Sequence, residues 1–134
     1  MKRLLLVAVM LLALAGCGQQ QADLDKFQGA QRDVAQKVED LQSAGENGNP
    51  EDICSDILAR RVVDQLEAAG TTCNEEMDKA IKDADDFDLE VESVSVNGNT
   101  ATAKVKGRDR GADRVRTFEF EKEGPNWRAT NLGA

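Results

Sequence analysis

The chain has 134 residues, of which 25 are acidic and 17 basic, and its formal charge at pH 7 is −8. This excess of acid argues against nucleic-acid binding and against adhesion to anionic lipid through charge, because both need a basic surface. The chain has no histidine and no Cys-x-x-Cys pair, so a metal or redox site is a weak prediction and no cofactor is expected.

The first 17 residues combine the features of an export signal. Lys2 and Arg3 precede an apolar run over 4–15, which is shorter than the ~20 residues that a bilayer-spanning helix needs. Leu14-Ala15-Gly16-Cys17 then resembles the lipobox of bacterial lipoproteins, in which the cysteine is acylated and a peptidase cuts just before it. An ordinary secretory signal, in which Cys17 is incidental, is the alternative.

The lipobox resemblance implies a division of the chain and a location. Residues 1–16 are the signal peptide, 17–22 a lipidated polar tether, and 23–134 a single domain. The protein is then anchored through Cys17 to the cell membrane or the outer membrane, facing the extracytoplasmic side. Loss of Lys2 and Arg3 with the signal leaves 15 basic residues against 25 acidic, a formal charge of −10.

The two remaining cysteines, Cys54 and Cys73, are predicted to form a disulfide, because disulfides persist in exported chains. On the chain-entropy account, closing a loop of about 20 residues stabilises the fold by roughly 3 kcal/mol.

Two long helices are predicted in the first half of the domain. Apolar residues at spacings of three, four or seven predict a helix over 23–43, with Gln31 at the one polar position of its apolar face. Asn49 as the cap and Pro50 at the first position predict the start of a second helix, expected to run to Ala69. Its buried face is expected to hold Ile53, Ile57, Leu58, Val62, Val63 and Leu66.

A short third helix is predicted after Thr72, because Thr72 and Glu75 have the spacing of a capping box. Its apolar stripe would consist of Met77, Ala80, Ile81 and Ala84.

Beyond Asp88 the apolar period changes from 3.6 to 2. Asn97-Gly98, between the runs 89–96 and 100–106, predicts a hairpin with a two-residue turn at these two residues. That turn sets Val94 opposite Ala101. A bulge near Glu92-Ser93 is then needed to restore Val91 opposite Ala103 and Leu89 opposite Val105.

A mixed-charge loop is predicted over 107–113, followed by strands over 114–122 and 127–132. The predicted fold is therefore α+β, with three N-terminal helices packed on a four-stranded curved antiparallel sheet.

This order of elements resembles the nuclear transport factor 2-like superfamily of α+β cones, and in particular its small bacterial lipoproteins. The resemblance lies in Cys54, Cys73, the hairpin over 94–101 and the closing Trp127-Arg128. Enzymes of that superfamily use an Asp base with Tyr or His partners in the pocket between sheet and helices. This chain has no His and no Tyr, so no catalytic residue is assigned.

Three clusters are candidates for chemistry. The acidic residues Asp83, Asp85, Asp86, Asp88 and Glu90 suggest calcium, but Asp88 stands where an EF-hand loop needs glycine, so a solvated connection is favoured. The basic cluster comprises Arg108, Arg110, Arg114 and Arg116, interleaved with Asp109 and Asp113; exposed mixed pairs are favoured over a site for an anionic partner. Phe118, Phe120 and Trp127 are expected in the core rather than against a ligand.

Three functions remain open. The first is a non-enzymatic envelope module that binds a small apolar ligand or another envelope protein. The second is an isomerase, dehydratase or hydrolase that uses a pocket carboxylate, and the third is a structural role with the concavity filled by side chains. An open apolar cavity would favour the first, and a desolvated carboxylate among polar groups the second.

Overall fold

The computed structural model describes residues 24–133. The predicted signal peptide over 1–16, the lipidated Cys17 and the tether over 17–22 lie outside these residues. The helical elements are a 3-10 turn Leu24–Lys26, α1 Ala30–Glu46, α2 Pro50–Asp52 continued by a π-helix Ile53–Ile57, α3 Arg60–Ala68, and α4 Cys73–Asp83. The strands are β1 Glu90–Asn97, β2 Thr100–Asp109, β3 Ala112–Glu123 and β4 Asn126–Asn131.

Helix α1 begins at Ala30, so the prediction of helix from residue 23 is wrong in its first turns. Gly29, the residue before the helix, has a φ of 57°, which glycine adopts at little cost. The chain before it forms a 3-10 turn that buries Phe27. The buried face of α1 consists of Val34, Ala35, Val38, Leu41, Ala44 and Gly45.

The predicted second helix, Pro50 to Ala69, is broken in its middle. Asn49 caps it as expected, accepting a hydrogen bond from the Asp52 N–H at 3.3 Å, but Leu58 and Ala59 are extended. Leu58 forms a parallel bridge with Ala129, and the Ala59 N–H donates to the Ala129 carbonyl at 2.8 Å. Hydrogen bonds to the open edge of β4 thus replace helical ones, and they also cover that edge.

Side chains from β3 and β4 hold the two helical pieces on either side of this break. The Arg60 N–H, at the start of α3, donates to Glu123 at 2.9 Å, because Ala59 has no side chain that can cap the helix. Arg128 of β4 donates to the Ser55 carbonyl in the π-helix. Of the predicted buried face, Ile53, Ile57 and Leu58 are buried, whereas Val62, Val63 and Leu66 are half-buried.

The predicted disulfide is confirmed. Cys54 and Cys73 are bonded with their Cα atoms 5.9 Å apart, which joins the π-helix to the first residue of α4. Thr72 caps α4 as predicted, accepting the Glu75 N–H at 3.2 Å. Cys73 is the only buried residue of α4, so the covalent bond supplies much of the attachment of this helix.

The four strands form an antiparallel meander in the order β1-β2-β3-β4, as predicted. The bulge is confirmed, between Val91 and Ser93, but the predicted turn is wrong by one residue at each end. Asn97 pairs with Thr100, so Gly98-Asn99 is the turn, and Gly98 with φ 60° takes the first central position, as in type II′ turns. Consequently Val94 lies opposite Ala103, and Val91 opposite Val105.

The predicted loop over 107–113 is instead the end of a long hairpin. Asp109 pairs with Ala112, and the turn residues Arg110 and Gly111 have φ values of 53° and 78°, as a type I′ turn requires. The predicted lengths of β2 and β3 are too short at this end, because the charged residues there show no alternation between an apolar and a polar face.

One apolar core lies between α1, the π-helix and the inner face of the sheet. Phe118, Phe120 and Trp127 are all buried in it, as predicted. Among residues 24–133, no charged or polar residue is fully buried.

We expect replacement of the disulfide, as Cys54→Ser/Cys73→Ser, to lower the free energy of unfolding by about 3 kcal/mol, because the unfolded chain regains the freedom of the closed loop. Urea denaturation followed by circular dichroism measures the change. Cys17→Ser is the matched control and should leave the unfolding midpoint unchanged; an equal loss in both variants would contradict the structural role of the bond.

Candidate functional site

A cavity of about 330 Å³ opens between α4, the connection from α4 to β1, and the concave face of the sheet. This size lies at the lower end of the usual range for small-molecule sites. Its apolar lining consists of Leu41, Ile53, Met77, Ala80, Ile81, Ala84, Phe87, Leu89, Val105, Phe118 and Leu132. The concavity predicted between helices and sheet is therefore only partly filled by side chains.

The apolar stripe predicted on α4 lines this cavity, and its two large members, Met77 and Ile81, also pack against the edge of the core. Met77 and Ile81 are half-buried, and Ala80 and Ala84 are exposed, yet all four line the cavity. Helix α4 therefore forms one wall, and its apolar side chains are available to an occupant.

The sheet register explains why the lining changes from apolar to charged along one face. Cross-strand partners point to the same face of a sheet, and Phe118 pairs with Ala103, Arg116 with Val105, and Arg114 with Gly107. Arg114 and Arg116 therefore extend the row of inward-facing residues beyond Phe118, past the end of the core. Both arginines line the cavity.

The two arginines share one carboxylate. Arg116 donates to Asp109 Oδ2 at 2.9 Å, and the Nε of Arg114 lies 3.6 Å from the same oxygen. The side chains of Arg114 and Arg116 are 59% and 45% exposed, so both remain accessible. This group of three, Asp109, Arg114 and Arg116, carries one net positive charge.

The remaining members of the basic cluster contribute less. Arg108 lines the cavity but also pairs with Asp113 at 3.8 Å. Arg110 occupies the turn between β2 and β3. The prediction of exposed mixed ion pairs is thus confirmed for Arg108, Arg114 and Arg116.

The acidic cluster is divided by the structure. Asp83, Asp85 and Asp86 are exposed and line the cavity on the α4 side. Asp88 and Glu90 line a separate, polar depression beside it. Glu90 pairs with Lys106 at 2.8 Å, and this hydrogen bond, with a smaller contribution from Lys26, lowers the pKa of the Glu90 carboxyl. In the part of the chain that the structure describes, no group of acidic and cysteine side chains is placed to hold a metal ion.

Phe87 is a cavity residue that the sequence pattern did not reveal. It follows Asp85 and Asp86 in an acidic segment, and this apolar residue among acids was the only available signal. Its ring packs directly on Gly45 of α1, where an added Cβ would overlap the ring atoms Cδ1, Cε1 and Cγ. Gln42 of α1 holds the backbone two residues after Phe87 in place, because its Oε1 accepts a hydrogen bond from the Leu89 N–H at 3.0 Å.

A comparison with models of known protein families finds no match, and a comparison with curated proteins finds none. Within residues 24–133, no helix combines the length and the apolar character needed to cross a membrane.

We expect Gly45→Ala to destabilise the protein, because displacing Phe87 costs about 1–3 kcal/mol, more than the ~1 kcal/mol that alanine gains over glycine in a helix. Urea unfolding gives the difference, and Ser43→Ala, at an exposed position of the same helix, should stay within about 0.5 kcal/mol of the parent.

A double-mutant cycle separates this overlap from other effects of the substitution. In a Phe87→Ala background, Gly45→Ala should become neutral or stabilising. If Gly45→Ala lowers the free energy of unfolding equally in both backgrounds, the Phe87 ring does not pack on Gly45.

Proposed function

We propose that the protein is a lipid-anchored module of the cell envelope that binds a small, largely apolar molecule in the cavity beneath α4. The cavity carries the proposal, because it combines an apolar lining with a few charged groups at its edge. That combination is typical of small-molecule sites, in which apolar contacts supply affinity and a few polar groups fix orientation.

The apolar lining favours binding of an apolar molecule, because binding would remove more of the lining from water. Met77 and Ile81 are only half-buried where they line the cavity, and removing apolar surface from water contributes ~25 cal/mol per Å². A bound apolar group would complete their burial, together with that of Phe87 and Leu89.

The carboxylates at the cavity favour binding over catalysis by a pocket base. Asp83, Asp85 and Asp86 are exposed, and Asp109 is held between two guanidinium groups. A carboxylate that acts as a pocket base is typically buried away from water, and none of these four carboxylates is buried.

Two resemblances support the fold and the location in this proposal. Helices followed by a curved four-stranded meander agree with a nuclear transport factor 2-like domain, in which the space between sheet and helices holds the ligand. The lipobox at Cys17 agrees with an extracytoplasmic anchor.

Dye binding tests the cavity. The neutral dye N-phenyl-1-naphthylamine should bind the full chain carrying Cys17→Ser, and its fluorescence should rise in the apolar site. Ala80→Trp should weaken binding by about tenfold or more, equal to ~1.4 kcal/mol, because an indole at this exposed wall position would fill much of the cavity. Ala68→Trp, on the exposed face of α3 away from the cavity, is the control. Unchanged binding by Ala80→Trp would contradict the proposal.

Fractionation and intact mass test the anchor. The mature protein should begin at Cys17, carry the mass of its acyl chains and sediment with membranes, whereas Cys17→Ser should carry no acyl mass and keep residues 1–16, because the substitution removes the residue before which the peptidase cuts. Recovery of the unsubstituted protein as a chain that begins at Met1 without acyl mass would contradict the proposal.

A further inference from the structure

The charged groups at the cavity mouth differ in net charge between its two walls: one wall carries only carboxylates, whereas the other carries Arg108, Arg114 and Arg116 with the single carboxylate Asp109. Asp83, Asp85 and Asp86 come from the end of α4 and the connection that follows it, and all three line the cavity. Arg114 and Arg116 come from β3, on the opposite wall. The mouth therefore has an acidic side and a basic side.

These two sides do not neutralise each other directly. The ion pairs of Arg114 and Arg116 go to Asp109, and that of Arg108 goes to Asp113, all within the β2-β3 hairpin. Among the described residues, no ion pair joins Asp83, Asp85 or Asp86 to a basic side chain. Opposite charges that line one cavity without pairing are complementary to a ligand that carries both signs.

We infer that the cavity binds a single-chain amphiphile with a zwitterionic phosphodiester head, of the lysophospholipid kind; this inference rests on the proposed function. The acyl chain lies against Met77, Ile81 and Phe118. Arg114 and Arg116 bind the phosphate, and Asp83 and Asp85 face the ammonium group. Guanidinium suits phosphate because its planar fork donates two parallel hydrogen bonds.

Size and charge exclude the competing classes. A cavity of about 330 Å³ lies at the lower end of the ~300–1,000 Å³ range of ligand sites, which favours one short acyl chain over two. A purely anionic head would meet three carboxylates at the mouth, and a purely cationic head would meet the two arginines. A neutral head would make no ion pair with either side.

Displacement of N-phenyl-1-naphthylamine from the full chain carrying Cys17→Ser tests the head group. The competitors share one acyl chain and are used below their micelle concentrations: lysophosphatidylcholine, lysophosphatidic acid and a monoacylglycerol. Lysophosphatidylcholine should displace the dye at about fivefold lower concentration than either of the others, as two exposed charge pairs allow.

Two double variants assign the preference to the two sides. Arg114→Gln/Arg116→Gln and Asp83→Asn/Asp85→Asn should each reduce the fivefold preference for lysophosphatidylcholine over the monoacylglycerol to about twofold, because one of the two charge pairs remains. Arg32→Gln and Asp64→Asn, at exposed positions away from the cavity, are the controls and should keep the full preference.

The remaining outcomes overturn the inference and separate it from the proposed function. Equal displacement by all three lipids, stronger displacement by lysophosphatidic acid, or no displacement of a dye that does bind would reject the zwitterionic ligand and leave the apolar site standing. Failure of the dye itself to bind would reject the proposed function as well.

Discussion

The structure depends on an inner sheet face that is longer than the helical layer covering it. Helix α1 and the π-helix bury the half that carries Ala101, Ala103, Phe118 and Phe120. Beyond the buried Val105, the same face continues through Gly107 to Arg114 and Arg116, where the sheet and α4 line the cavity. Apolar burial supplies the stability of the covered half, and the uncovered half becomes a cavity with a charged mouth.

The sequence predicted correctly those features that depend on a few neighbouring residues or on the cysteine count. Asn49 and Thr72 cap helices, the Cys54–Cys73 bond forms, and the bulge near Glu92 lies where the apolar pattern requires it. The break at Leu58-Ala59 had no such signal, since neither Gly nor Pro is present there. It results from pairing with Ala129, about 70 residues further along the chain, and a tertiary interaction of this kind overrides helix propensity.

The cavity was less predictable than the fold. The stripe on α4 was visible as a helical period, but a period does not distinguish a wall of a cavity from a packed face. Arg114 and Arg116 fall within the strand predicted over 114–122, but the interleaved charges around them indicated exposed ion pairs rather than the wall of a cavity. Only the strand register shows that they share a face with Phe118. Phe87 lines the cavity because its ring packs on Gly45, and this contact joins two segments that are distant in sequence.

The covalent link at Cys73 couples the cavity to the redox conditions around the protein. Helix α4 buries no other residue, so a chain whose thiols are still reduced keeps this wall only through half-buried contacts and the cap at Thr72. Oxidation to the disulfide then fixes the first turn of α4 beside Ile53. In a protein exported as we propose, this bond forms after the chain reaches an oxidising compartment, so this wall of the cavity is fixed covalently only outside the cytosol.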